Sequence, residues 1–378
     1  MQTEVINSLF LKHKESDLYG RYITNKHIEP LLNKLPEKVH VDVIGHSVQK
    51  KSIYGLKVGQ GNKRILLWSQ MHGNESTTTK ALFDLLNTLL VDKSPFKHIL
   101  EHCTLYIIPI LNPDGAAAYT RINANEVDLN RDAQNLTQPE SRVLRSVFND
   151  FKPHFCYNLH GQRTIFSAGN TNKSATVSFL SPAQDQACTI TSNRKRAMEV
   201  IAVMNNVLQQ EIPNQVGVYD DAFNINCVGD TFQSENVPTI LFESGHYHND
   251  YQREKTRELI YMSYIASLDY ISKNEVSGEY YKPYLDIPEN EKCFLDIIIR
   301  NAKKNGVSVD VGIQYQERLI DNNIKFVPKV LHIEKLDTIF GHKEIEANDN
   351  EVFSENGKAI ELDSENVFVI INNEKILL

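Results

Sequence analysis

Short apolar runs alternating with stretches of helical spacing constrain this chain more than anything else in it. Ile65 to Ser69 is one such run, and Thr77 to Leu90 behind it sets Ala81, Leu82, Leu85, Leu86, Leu89 and Leu90 at helical intervals. Cys103 to Leu111 is another, closed by Asn112-Pro113-Asp114-Gly115. Phe155 to Leu159 follows an expected helix from Pro139 to Val147. Lys195 to Gln210 reads as a further helix, Pro238 to Phe242 as a strand, and Arg253 to Tyr270 as a long helix. A strand apolar without alternation is covered on both faces, and a βα succession gives a parallel or mixed sheet between helices. Sheets of that kind bind ligands beyond the carboxyl ends of their strands.

The N-terminal part adds an expected helical region over 9–35 and strands at Val39 to Gly45 and Ser52 to Val58, followed by the turn Gly59-Gln60-Gly61-Asn62. Near residue 275 the character changes. Phe294 to Ile299, Val307 to Val311, Lys325 to Ile333 and Val367 to Ile371 are β-branched runs separated by turns such as Lys304-Asn305-Gly306. The division expected is a first domain over 1–275 and a small β-rich accessory domain over 280–378, with 337–365 largely in loops.

Bulk properties exclude several classes. A formal charge of −8 and no dense Lys/Arg stripe argue against a nucleic-acid partner. No run reaches the length of a membrane span, and Met1 to Asn7 lacks a basic segment leading into an apolar one, so a cytoplasmic location is expected. The five cysteines are scattered, and Cys103 and Cys156 sit in apolar runs as reduced core residues.

Chemistry concentrates at the ends of two runs. His72 and Glu75 lie in the turn between the run at Ile65 and the helix at Thr77, and His160 ends the run at Phe155. Two imidazoles and one carboxylate make a three-ligand set that leaves the fourth position of a zinc ion open to water or substrate. On spacing alone, His-x-x-Glu is as readily surface decoration, and His154, His246 and His248 compete as ligands.

The ordered segments His72-Gly73-Asn74-Glu75, Asn112-Pro113-Asp114-Gly115, Val127-Asp128-Leu129-Asn130-Arg131, Leu159-His160 and Leu241-Phe242-Glu243 resemble the signature segments of the zinc carboxypeptidases, over roughly residues 40–270. The resemblance implies a three-layer α/β/α sandwich around a mixed eight-stranded sheet, with 1–275 as the catalytic domain. It implies one zinc ion per chain on His72, Glu75 and His160. Glu243 matches the carboxylate that activates water and passes its proton to the leaving amine. Arg121 looks like the arginine that steadies the oxyanion, while Asn130 and Arg131 match the pair gripping the substrate's terminal carboxylate. Tyr219 is the best match to the family's mobile tyrosine, although its surroundings depart from the pattern. Asp128 is placed to hold a ligand histidine through its second ring nitrogen.

The implied substrate is a peptide or acyl-amino acid with a free carboxylate, with no nucleic acid, no membrane and a possible homo-oligomer. A related amidohydrolase acting on an N-acyl amino acid or a peptidoglycan fragment, and a non-catalytic binding module, are the alternatives. Asp220, Asp221 and Asp230 are the acidic candidates for a pocket that prefers basic side chains.

Overall fold

The computed structural model describes residues 3–378. Two compact units emerge. The first runs to Gln162 and resumes over Ala175–Asn290; the second joins Arg163–Ser174 to Glu291–Leu378. These bounds differ from a consecutive division near 275, because 163–174 packs with the C-terminal unit and the stretch up to 290 with the first.

In the first unit the strands are β1 (His40–His46), β2 (Ser52–Val58), β3 (Lys63–Ser69), β4 (Cys103–Ile108), β5 (Phe155–Gly161) and, after the two-residue β6 (Ser167–Ala168) of the second unit, β7 (Val177–Leu180), β8 (Val216–Val218) and β9 (Thr239–Ser244). They form one mixed sheet of eight in the order β1-β2-β4-β3-β5-β9-β7-β8. The centre is parallel: β3 pairs with β4 and β5, and β5 with β9.

The helices are α1 (Thr3–His13), α2 (Asn25–Leu32), α3 (Thr77–Leu90), α4 (Lys97–His102), α5 (Pro113–Ala118), α6 (Pro139–Phe151), α7 (Ser192–Leu208), α8 (Val228–Ser234) and α9 (Glu254–Lys273). Strand β3 shows how the layers form. Ile65 and Leu67 pack with the core that includes α3, α7 and α9, while Leu66 and Trp68 face the core that includes α6 and α8. Both faces are therefore dry, as its unbroken apolar run requires.

The continuous helix expected over 9–35 is two helices. Gly20 takes φ +72° and Thr24 is extended, so the helix cannot continue through them, and a connector separates α1 from α2. That connector is tied to the core by charge. Arg257 of α9, fully buried, donates from Nε and Nη2 to the two carboxylate oxygens of buried Asp84 of α3 at 2.6 Å each, and from Nη2 to Glu15 O at 2.8 Å. Removing one partner of such a pair strands a buried charge, at a cost of about 3–5 kcal/mol. Asp84→Ala is expected to lose that much in denaturant unfolding, and a loss under about 1 kcal/mol would contradict the assigned role.

The second unit is all β apart from its loops. After the short β10 (Asn290–Glu291) come β11 (Phe294–Lys304), β12 (Val307–Ile320), β13 (Asn323–Glu334) and β14 (Phe340–Glu346), in sheet order β13-β12-β11-β14. The strands β15 (Val352–Phe353), β16 (Phe368–Ile371) and β17 (Glu374–Leu377) form a smaller sheet. Asn305-Gly306 and Asp321-Asn322 close two hairpins with both residues at positive φ, the backbone that matches strand twist. The expectation of loops across 337–365 fails at β14, which pairs parallel to β11.

Candidate active site

The site forms where β3 and β5 end side by side, Ser69 opposite Leu159. Beyond β3 the chain turns sharply through Gln70, at φ +44°. Its side chain holds the turn by donating to Ile23 O and Gly73 O. Gly73 must be glycine: a Cβ there would lie 1.9 Å from the carbonyl carbon of Gly115. The Asn-Pro-Asp-Gly segment, readable as a plain turn, instead starts α5. Asn112 caps it by accepting from Gly115 N, and donates to Met71 O at 3.2 Å, immediately before His72.

His72, Glu75 and His160 come together with their donor atoms within 4.8 Å of one another. His160 Nδ1 lies 3.0 Å from His72 Nδ1 and 2.9 Å from Glu75 Oε2, and His72 Nδ1 is 3.0 Å from Glu75 Oε1. Both imidazoles are buried. At that separation at most one of the two ring nitrogens carries a proton, so at least one nitrogen lone pair faces the Glu75 oxygens across the cluster, a donor set of the kind a cation takes. The second nitrogen of His72 meets Asp128 Oδ1 at 3.0 Å, which fixes the ring's tautomer. Gly161 N–H donates to Glu75 Oε2 at 3.0 Å, orienting the carboxylate from the end of β5.

Electrostatics follow from this geometry. Burial opposes charge on Glu75, but His72 and His160 overcome it and hold the carboxyl well below its ordinary range. Burial likewise opposes ionised Asp128, and His72 and Arg121 outweigh it. Burial lowers His160, whereas for His72 the same penalty is exceeded by Glu75 and Asp128, which raise it. Asp128→Ala is expected to weaken divalent-metal affinity about 10–100-fold in chelator competition, the usual effect of losing a carboxylate behind a ligating histidine. Unchanged affinity would remove Asp128 from the site.

Glu243 sits in β9 exactly in register with His160 of the adjacent parallel strand, so the two side chains share a face. Its Oε2 is buried without a hydrogen-bond partner. Burial first, and then the Glu75 carboxylate, push it well above the ordinary carboxylate range, against the pull of Arg121 and Arg253. Arg121 follows α5 and is half exposed; it reaches Asp128 Oδ2 at 3.1 Å and Glu75 Oε1 at 3.5 Å, which puts its guanidinium at the rim of the donor set.

Asn130 and Arg131 lie on a 3₁₀ turn, Leu129–Arg131, rather than at a strand end; Asp128 caps it by accepting from Asn130 N. The Asn130 carboxamide oxygen accepts from Val228 N at 3.1 Å, tying this turn to α8. Tyr219 follows β8 at the sheet edge, with β7 and β9 between it and β5, and its N–H donates to Phe179 O.

The competing histidines sit elsewhere. His154 precedes β5, at the opposite end from His160, and bonds Arg64; His246 packs against Tyr251, and His248 bonds Asn249. Of the acidic pocket candidates, Asp221 is paired with buried Arg194 at 2.6 Å and Asp220 accepts from Ala222 N. Burial pushes buried Asp230 up to about 6.

Comparison with known proteins decides the family. The profile of the zinc carboxypeptidases matches residues 24–219, more than half of the chain. The chain belongs to that family. The matched stretch includes the three donors, Arg121, Asn130, Arg131 and Tyr219, and ends before Glu243. "Probable carboxypeptidase 2" of Arthroderma benhamiae is 31% identical over 108 residues, 29% of this chain and 20% of that protein. Carboxypeptidase SOL1 of Arabidopsis thaliana is 26% identical over 183 residues, 42% of this chain and 37% of that one. The matched segments thus span less than half of either relative. The metallo-carboxypeptidase of Burkholderia cenocepacia superposes with a TM-score of 0.52 at 18% identity, covering 65% of this chain and 68% of its own, a likeness of fold. Among the described residues, no helix is long and apolar enough to cross a membrane.

Proposed function

We propose that this chain hydrolyses the amide bond next to a free C-terminal carboxylate, with one zinc ion on His72, Glu75 and His160. The observation that carries this reading is the convergence of that donor set beside Glu243, in register with His160. Ligands ~2.0–2.1 Å from a tetrahedral zinc stand roughly 3.3 Å apart. The donor pairs here, at 2.9–3.0 Å, fit that with a few tenths of an ångström of relaxation. Zinc bound there supplies Lewis acidity to a scissile carbonyl and lowers the pKa of water.

The chain's own residues do the rest. Glu243, in its enclosed setting, takes the proton of the attacking water and returns it to the departing amine. Arg121, at the rim, offers N–H donors to charge that develops on the carbonyl oxygen. Arg131 presents a planar fork to the substrate carboxylate. Because the carboxamide oxygen of Asn130 is engaged by Val228, its N–H₂ is the end left to donate beside Arg131. Tyr219 is assigned to the same carboxylate on family resemblance.

The test is hydrolysis of N-acylated dipeptides by the zinc-loaded chain, against the same peptides amidated at the C-terminus. Turnover of the free acid alone supports the reading. Equal turnover of the amides, or none of either, contradicts it.

A further inference from the structure

Beyond the ligands and Glu243, a buried cation is built into the carboxyl ends of β5 and β9, the strands that carry His160 and Glu243. Arg253 is 1% exposed. Its Nη1 donates to Ser244 O and Gly245 O, the two residues after Glu243, and its Nη2 donates to Gln162 O at 2.9 Å, two residues after His160. The β5–β9 ladder pairs its last residues at Gly161 and Ser244, followed by Gln162 N–H donating to Ser244 O. The guanidinium therefore crosses from one strand to the other just where ladder hydrogen bonds stop.

The base of this clamp is rigid. Asp250 accepts from Glu254 N at 2.8 Å and Thr256 N at 2.9 Å, capping the start of α9, and Thr256 Oγ1 donates to Gly245 O at 3.1 Å. Arg253 itself sits at φ +60°, a left-handed backbone that glycine would adopt without strain. Burying a guanidinium also costs several kcal/mol before its bonds are counted. Two local penalties at one residue indicate that its side chain does something a cheaper residue would not.

We propose that Arg253 is a positioning residue that sets the spacing of His160 and Glu243 by clamping the ends of β5 and β9, an inference that rests on the hydrolytic reading of the site. Without the clamp the two strand ends separate, the third ligand drifts from His72 and Glu75, and the base drifts from the reacting carbonyl. Misplacement of about 1 Å costs up to roughly 100-fold in rate while leaving substrate binding largely intact.

The experiment compares Arg253→Met and Arg253→Lys with the full wild-type chain. Zinc affinity is read by chelator competition, and kcat and KM are read at saturating zinc on an N-acyl dipeptide. Arg253→Met is expected to weaken zinc about tenfold and to lower kcat at least about tenfold with KM within about twofold; Arg253→Lys, which keeps a donor and the charge, recovers most of both. Asp84→Ala, which removes a side chain bonded to neither the metal donors nor Arg253, serves as the stability control. An Arg253→Met protein with wild-type zinc affinity and kcat overturns the proposal, as does a loss that Asp84→Ala reproduces at a matched thermal midpoint. If Arg253→Met is insoluble, Arg253→Gln takes its place under the same criteria. If the wild type hydrolyses no carboxylate-ended amide, the functional reading fails, and zinc affinity alone decides the clamp.

Discussion

Glu243→Gln is expected to keep one zinc per chain and to lose between about 10² and 10⁴ in kcat, the range that a positioned general base contributes. That corresponds to roughly 3–5.5 kcal/mol of barrier. The amide is isosteric with the carboxyl, so the pocket is not emptied. It cannot accept a proton from water, and this is the function assigned to Glu243. The same substitution carries a stability signature. In the metal-free protein, burial and Glu75 raise the Glu243 carboxyl above its unfolded value, so at neutral pH its ionised form costs stability. The cost is absent below the unfolded carboxyl's pKa, grows as pH rises from there toward the raised folded value and is constant above it; the neutral amide removes it. Thermal unfolding of metal-free Glu243→Gln at neutral pH should therefore match or exceed wild type, while activity collapses. A variant with a lower midpoint and retained turnover would contradict both halves of the argument.

His160→Ala is expected to weaken zinc binding by about 10²–10³-fold. A four-ligand zinc site is worth about 10–16 kcal/mol, so one ligand carries roughly 3–4 kcal/mol, or about 10²–10³ in affinity. The effect should exceed that of Asp128→Ala, because Asp128 acts through His72 rather than on the metal. Secondary structure should persist, since β5 is held between β3 and β9 by ladder bonds that do not involve the imidazole. Isothermal titration with zinc, alongside far-ultraviolet circular dichroism, separates loss of a ligand from loss of fold. Near-wild-type affinity in His160→Ala would mean that the metal sits elsewhere.

Much of this was legible from residues alone because the relevant strands are buried on both faces. Unbroken apolar runs at β3 and β5 announce themselves, and neighbouring parallel strands bring their carboxyl ends together whatever the intervening sequence. His72 and His160 meet for that reason, 88 residues apart. Helix α3 was readable to its bounds, since its apolar positions recur at helical spacing and nothing in it breaks the pattern.

What escaped reading has equally physical causes. Strand β14 is a half-exposed edge with few apolar residues, so its composition resembles a loop; its parallel partner β11 makes it a strand. The break between α1 and α2 turns on the backbone angles of Gly20 and Thr24, for which a polar stretch gives only a weak signal. Arg253 has no local signature at all. It is one of several charged residues around the start of a helix, and only the folded chain shows that its guanidinium is buried among carbonyls. Asp128 was read as a possible partner of a ligand, but which histidine and which nitrogen depend on a 3₁₀ turn that spacing does not encode.

Anomalous diffraction at the zinc edge, from crystals of the chain grown with equimolar zinc, tests the central claim most directly. One peak per chain is predicted, bonded to His72 Nδ1, His160 Nδ1 and the Glu75 carboxylate, with Glu243 beside it and unbonded. A peak at His246 or His248, or no peak between the two Nδ1 atoms, would contradict the account.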